Sequence, residues 1–264
     1  MKIKERLDKL LPELGLVETR NKAQALIMAG KVRVNGQVVT KSGSMFERDA
    51  NITLDEVSQW AGRGAKKLLR AFEVFDIDIN GKICADFGAS TGGFTDVMLS
   101  KGAEKVYAID VGYGQLIWRL ASDSRVVVMD RTNARYLTRE NFSDVIDFAG
   151  CDVSFISLKL ILPVIDEVVK DEAVVLIKPQ FEAGREKISN GVIKDKAIHI
   201  EVLENILSFI NDETKFSVSG LTFSPIRGAE GNTEFLCHVK HAEKKLNFDV
   251  NDIVNEAYEF FERS

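Results

Sequence analysis

Apolar residues recur at helical spacing from Ile3 through Leu7, Leu10, Leu11 and Leu14, which predicts a helix over residues 2–14. Thr19 is a suitable N-cap for a second helix over residues 22–29, which Gly30 stops. The next run, KVRVNGQVVTK, alternates apolar and polar residues, turns at Asn35-Gly36 and alternates again, the pattern of a tight β-hairpin. Residues 49–56 predict a further short strand. Residues 1–58 therefore read as one small α+β domain, and residues 59–65 as a glycine-containing linker. A helix over residues 66–75 opens the remainder. From residue 82 onward, short apolar runs at 82–87, 105–110, 125–130, 148–155 and 173–181 alternate with helical patterns at 94–100, 115–121, 158–169 and 194–209. Runs at 216–223 and 234–239 suit a closing antiparallel hairpin, and a charged helix over 250–262 ends the chain. This alternation predicts a doubly wound α/β sheet in a domain of residues 66–264.

Composition narrows the class. At 264 residues and 45% hydrophobic content, one large domain and a small one can each bury a core. The three cysteines, Cys84, Cys151 and Cys237, lie far apart in apolar runs, so buried thiols in a reducing compartment are expected, without a disulfide framework. His199, His238 and His241 add no metal-ligand spacing, and no metal is expected. The charged, amphipathic first fourteen residues lack the apolar centre of a signal peptide, and no apolar run is long enough to span a bilayer. A soluble cytoplasmic protein is the expectation. Charge is uneven: residues 1–70 hold 14 Lys/Arg against 8 Asp/Glu, the rest 21 against 32. A basic head on an acidic body suggests an anionic polymer as partner for the head; a solvated helix face carrying Lys2, Lys4, Arg6 and Lys9 is the alternative.

The richest segment is Lys82-Ile-Cys-Ala-Asp-Phe-Gly-Ala-Ser-Thr-Gly-Gly-Phe94, an apolar strand ending near Asp86 and opening onto a small-residue loop before a helix. Gly88, Gly92 and Gly93 let backbone N–H groups approach a ligand closely. Dinucleotide loops want glycine where Ser90 stands and a pyrophosphate at the helix start. A carboxylate, Asp86, is expected to face the mouth instead, which suits an ammonium or a sulfonium; S-adenosylmethionine carries both. An ordinary strand–turn–helix stays open as the other reading.

Ligands of doubly wound sheets sit at the carboxyl ends of the strands. There the chain brings Asp86 and the glycine loop, then Asp110, placed to accept ribose hydroxyls, then Asp130 with Asn133 three residues on, then Asp152, then Lys178. Surface caps or salt bridges would explain one such residue; a run of them suggests a functional mouth. Among methyl acceptors, exocyclic base amines call for a proline-rich turn after strand four, where this chain has Asp152-Val-Ser-Phe155. A pyrimidine carbon calls for a cysteine nucleophile after a proline, which Cys151 does not follow. Lys178 beside carboxylates remains, a group able to take or orient a hydroxyl proton.

These blocks resemble the TlyA-type RNA methyltransferases, historically labelled hemolysins, with an FtsJ-like ribose 2′-O-methyltransferase domain. RLDKLLPELGLVETRNKAQALIMAGKVRVNG resembles the alpha-L RNA-binding motif shared with ribosomal protein S-four, and GRGAKKL resembles the Ser-Arg-Gly-Gly-x-Lys-Leu opening of the catalytic domain, with Gly62 and Ala65 as departures. DFGASTGGF, DVSFISL, LIKPQFEAGRE and SPIRGAEGNTEFL complete the resemblance. It implies a Rossmann-like methyltransferase sheet behind an alpha-L RNA-binding domain, S-adenosylmethionine as cofactor, and ribosomal RNA or ribosomal subunits as partner, with a cytidine as target. It puts a catalytic tetrad on Lys67, Asp152, Lys178 and Glu234, with Lys67 chosen over its neighbour Lys66 by register. Cofactor contacts would come from Asp86, Gly88, Ser90, Thr91, Gly92, Gly93, Phe94, Asp110, Asp130 and Asn133. Arg6, Arg20, Lys22, Lys31, Arg33 and Arg63 are the candidate RNA contacts. The rival expectations are a non-catalytic rRNA-binding assembly factor and a membrane-lytic protein.

Overall fold

The computed structural model describes residues 4–54, 59–188, 191–241 and 248–263. The chain divides into two compact units, Met1–Gln59 and Trp60–Ser264.

In the first unit, β1 (Lys4–Arg6) leads directly into α1 (Leu7–Glu13), followed by α2 (Arg20–Met28), β2 (Val32–Val34), β3 (Gln37–Val38), β4 (Met45–Glu47) and β5 (Ile52–Leu54). The helix expected over 2–14 begins only at Leu7. Residues 2–3 lie outside the described residues, and 4–6 are a strand because their backbone pairs antiparallel with β4, Glu5 opposite Phe46. Three-residue β4 is too short to leave a periodic signal, so its capture of β1 could not be read from pattern. Thr19 does cap α2, its hydroxyl accepting from the Lys22 N–H. The hairpin forms as expected: Asn35 and Gly36 take φ of 53° and 81°, which the tight turn between β2 and β3 requires. The expected strand over 49–56 is β5, on the other edge of β2; residues 55–56 lie outside the described residues. Leu7, Leu11, Ala23, Ile27, Val32 and Val34 form the core.

One buried carboxylate ties this unit together. Asp8 is fully buried, and it accepts from Arg6 Nε at 2.9 Å, Arg20 Nη2 at 2.9 Å and Gln24 Nε2 at 2.7 Å. It thereby joins the start of α1 to the first turns of α2. The Arg6 hydrogen bond is the main reason its carboxyl is held well below the usual carboxylate range, against the opposing effect of burial.

The second unit runs α3 (Ala65–Val74), β6 (Ile83–Phe87), α4 (Gly93–Ser100), β7 (Lys105–Ile109), α5 (Trp118–Ala121), β8 (Val126–Met129), β9 (Ile146–Cys151), α6 (Leu162–Val168), β10 (Val169–Ile177), α7 (Pro179–Glu182), α8 (Lys196–Glu213), β11 (Ser217–Phe223), β12 (Phe235–Lys240) and α9 (Val250–Glu262). Seven strands form one sheet in the order β11-β12-β10-β9-β6-β7-β8. Strands β6 to β10 are mutually parallel, and β12 joins β10 antiparallel with β11 outside it. This is the expected doubly wound sheet with its closing hairpin. Alternate residues serve opposite faces: Val175 and Ile177 of β10 pack in one core with Phe87 and Leu203, whereas Val174 and Leu176 pack in the other with Leu68 and Met98. All three cysteines are buried free thiols.

Two strands stop earlier than their apolar runs suggest, and both stops build the site. The run 148–155 leaves the sheet after Cys151, and Phe155 adopts φ of 64° in the loop beyond. The run 173–181 ends at Ile177, because Pro179 has no N–H for a ladder and instead starts α7. The charged residues Asp152 and Lys178 are thus the first residues past their strands.

The Asp8 cluster makes a prediction. Asp8→Ala leaves two guanidiniums without their shared anion, and removal of charge-assisted hydrogen bonds costs about 1.5–3 kcal/mol. Amide exchange at Leu10, Leu11, Ala23 and Ile27 should accelerate accordingly, with exchange in the sheet of the second unit unchanged. Because the folded pKa is depressed, this stabilisation is present above the ordinary aspartate pKa of about 4 and is lost as pH falls below it. Uniform protection from pH 7 to pH 3 in the wild-type chain would contradict the assignment.

Candidate active site

The glycine loop between β6 and α4 is built for close approach. Gly88 has φ of 90°, and a Cβ there would lie 2.8 Å from the Asp152 carbonyl oxygen, so the tips of β6 and β9 touch through backbone alone. At Gly93, a Cβ would lie 2.9 Å from the Ala65 N, so only glycine lets α4 start against α3. Ser90 is held in the left-handed region at φ of 48°, its N–H donating to Asp110 Oδ2 at 2.8 Å.

Asp86 departs from expectation. Its carboxyl does not face the mouth: it is fully buried beneath the loop, and its Oδ2 accepts from the Thr95 N–H and hydroxyl at 2.8 Å and 2.6 Å. Burial pushes it up to about 7, against the Thr95 hydrogen bonds, which favour the charged form. The strand period explains the error: Asp86 shares the inward face with Cys84, next to α4, rather than pointing along the strand.

Past the strand tips, four charged side chains assemble. Lys67 Nζ, from α3, lies 3.1 Å from Asp152 Oδ2 and 2.8 Å from Glu234 Oε2. Lys178 Nζ lies 2.6 Å from Asp152 Oδ1 and 2.7 Å from Ser154 Oγ, with the Asp152 carbonyl at 3.4 Å. The order Glu234–Lys67–Asp152–Lys178 alternates in sign. Lys67, Lys178 and Glu234 are buried, whereas Lys66 is exposed, so of the two adjacent lysines it is Lys67 that joins the array. Burial lowers the Lys67 ammonium, but Asp152 and Glu234 outweigh it and push the group up, making it a fixed cation. Gln180 extends the array, its Nε2 donating to Glu234 Oε1 at 3.3 Å.

Two cavities meet at this array. One, of about 370 Å³, is lined by Lys67, Asp152, Lys178 and Glu234 together with Arg63, Thr91, Gly93, Phe94 and the loop of residues 226–230. The other, of about 520 Å³, is lined by Ile109, Asp110, Val111, Gln115, Thr132, Asn133, Ala134, Ile156 and Ile161. They share Gly88, Ser90, Asp152, Ser154 and Phe155 as a common wall. Phe155 is 89% exposed at that wall, beside the ring of Phe181.

The residues expected around a cofactor therefore separate. Gly88, Ser90, Asp110 and Asn133 line the second cavity; Thr91, Gly93 and Phe94 line the first. Asp86, Gly92 and Asp130 line neither. Gly92 packs against Leu116 and Leu120, and Asp130 accepts from the Gly114 N–H, fixing the loop after β7. Asp110 also accepts from the Gly112 N–H, which leaves lone pairs on both its oxygens. Of the expected RNA contacts, Arg6 and Arg20 are held by Asp8, Lys22 pairs with Glu18, Arg33 donates to the Gly36 carbonyl, and Lys31 is exposed. Sequence reasoning missed Ser154, Gln180 and Phe155; each sits two or three residues beyond a tetrad member, where a chain leaving a strand returns to the same site. Among the described residues there is no cluster of ligands able to hold a metal, and no helix long and apolar enough to cross a membrane.

The FtsJ-like methyltransferase family matches residues 60–241, and the S4 domain matches residues 5–52. A candidate rRNA methyltransferase of Bacillus subtilis, YqxC, is 47% identical over 241 residues, covering 89% of this chain and 85% of that protein. The 16S/23S rRNA (cytidine-2′-O)-methyltransferase TlyA of Mycobacterium tuberculosis is 41% identical over 235 residues, covering 87% of each. A solved candidate hemolysin from Streptococcus thermophilus, 43% identical, superposes with a TM-score of 0.77 over 100% of this chain and 98% of that one.

The Gly88 geometry makes the prediction for this site. Gly88→Ala places a methyl group against the Asp152 carbonyl in a backbone region costly to side chains, which costs about 1–3 kcal/mol. The thermal midpoint should fall, and the affinity for any ligand of the shared wall should fall with it. An unchanged midpoint would show that the β6 tip has room to spare.

Proposed function

The chain belongs to the FtsJ-like methyltransferase family and carries an S4 domain, and from that premise we propose that it is an S-adenosylmethionine-dependent ribose 2′-O-methyltransferase acting on ribosomal RNA, with a cytidine as target. The observation that carries the reading is the alternating tetrad on the wall between two cavities. One cavity suits the cofactor and the other a nucleotide, so donor and acceptor would meet at the charged wall.

The second cavity fits S-adenosylmethionine on its own chemistry. Ile109, Val111, Ala134 and Ile156 offer apolar walls for an adenine, and Asp110 keeps acceptor sites for ribose hydroxyls. When bound, this cofactor supplies an electrophilic methyl group on a sulfonium. The protein's own task is to present a 2′-oxygen in line and relieve it of a proton. Lys178, at the wall, takes or orients that proton. Asp152 aims Lys178 through one carboxylate oxygen and holds Lys67 through the other, and Glu234 keeps Lys67 in place from its far side. Lys67 orients the hydroxyl as a constant positive charge. The small head anchors the enzyme on structured RNA through phosphates and shape, with Lys31 and Arg33 at the opening of its hairpin. An rRNA substrate makes the cytoplasm its place of work.

Two variants and one map test this. Lys178→Ala should abolish methyl transfer, at least a hundredfold in rate, while S-adenosylmethionine affinity measured by calorimetry changes only a few-fold. A collapse of cofactor affinity would move Lys178 out of the proton-handling role. Asp110→Ala should weaken cofactor binding by about ten- to a hundredfold with RNA affinity unchanged; an unaltered cofactor dissociation constant would remove Asp110 from the site. Mapping rRNA 2′-O-methyl groups in cells with and without the gene identifies the nucleotide. Intact rRNA binding with no methyl group gained would make the protein an assembly factor instead.

A further inference from the structure

The nucleotide cavity has a charge problem. Its tetrad carries no net positive charge, because two lysines face two carboxylates and Lys178 acting as a base would only remove one cation more, so it offers no net attraction to the phosphates that accompany any ribose in RNA. Two further cations line the cavity, Arg63 and Arg227, and neither has a carboxylate within ion-pair distance among the described residues. Glu230 also lines it.

Arg227 is exposed yet fixed. Its Nη1 donates to the Gly231 carbonyl at 3.2 Å, and its guanidinium lies 4.6 Å from the ring centroid of Phe261. Phe261 belongs to α9 and is itself braced: Phe260 stands edge-on at 5.2 Å, and Phe223, at the end of β11, at 6.5 Å. Helix α9 lies beyond residues 60–241, the stretch matched by the methyltransferase family. Stacking on an aromatic face immobilises a guanidinium without neutralising it, and leaves its edge free for a fork of hydrogen bonds.

We propose that Arg227 is a phosphate-binding residue for the RNA strand entering the nucleotide cavity, and that α9 serves as its support through Phe261. The proposal rests on the reading of this cavity as the nucleotide site. The ligand is a backbone phosphate adjoining the target nucleotide, gripped by the Arg227 fork, with Arg63 as the second cation of the same cavity. Phe261 is a positioning residue, since it acts through Arg227.

The test uses the full-length chain and ribosomal subunits from cells lacking the gene. Arg227→Ala should raise both the dissociation constant and the KM for RNA by roughly ten- to a hundredfold, with kcat within about twofold. The slope of log affinity against log salt should flatten by about 0.7–0.9, one phosphate contact. Arg227→Lys keeps the charge but loses fork and stack, so it should restore the slope and only part of the affinity. Phe261→Leu, which keeps the apolar packing of α9 but removes the ring face, should weaken RNA binding with the wild-type salt slope and an unchanged S-adenosylmethionine dissociation constant. RNA affinity and slope unaltered in Arg227→Ala would overturn the phosphate assignment, and wild-type affinity in Phe261→Leu would overturn the role of α9. Failure of the wild-type chain to transfer a methyl group would refute the methyltransferase reading instead, and the binding measurements would still decide the fate of Arg227.

Discussion

The second unit is organised around a demand that buried ions make of their neighbours. An ammonium or carboxylate removed from water loses several kcal/mol of hydration, and only a partner of opposite charge at close range compensates. Lys67, Asp152, Lys178 and Glu234 meet that demand collectively, each inner member touching two of opposite sign. No member can move without exposing another. This ties together elements far apart in sequence: α3, the tips of β9 and β10, and the residue preceding β12. The same constraint makes the array chemically definite. Lys67, held between two carboxylates, is a standing positive charge, while Lys178, at the end of the row, has a neutral hydroxyl on its open side.

Close backbone approach does for the cavities what charge does for the tetrad. The absence of a side chain at Gly88 brings the β6 loop against the Asp152 carbonyl, where the two cavities share Gly88, Ser90, Asp152, Ser154 and Phe155 as lining. A shared boundary is what a transfer reaction between two bound molecules needs, because the reacting atoms must come within about 3–3.5 Å. The strand endings at Cys151 and Ile177 serve the same purpose, releasing Asp152 and Lys178 from the ladder where a ligand can reach them.

Asp8 plays an analogous part in the small unit, with half-exposed partners. Two guanidiniums and an amide converge on it, and the trio of charged groups keeps a net positive charge at the surface. Part of the basic excess seen along the first 70 residues is therefore structural, its charge that of the cluster rather than of independent cations.

Local chemistry set much of this in the sequence. The Asn35-Gly36 hairpin, the Thr19 cap, the alternating strands and helices and the glycine loop are legible because each depends on neighbours within a few residues. The charged residues at the strand tips are legible for the same reason, since a strand ending in an acid or a lysine shows in the run itself. Other features are decided between segments. Strand β1 exists only because β4 pairs with it, although its residues carry a helical period. Asp86 turns inward, although its position in the motif suggests the mouth, and Thr95 of α4 holds its Oδ2 there with two hydrogen bonds. The selection of Lys67 over Lys66 in space, the inclusion of Ser154 and Gln180, and the seating of Arg227 on α9 all depend on contacts spanning tens of residues. Periodicity and turn chemistry are properties of a stretch of chain. Which polar group is buried, and against what, belongs to the packing of the whole domain.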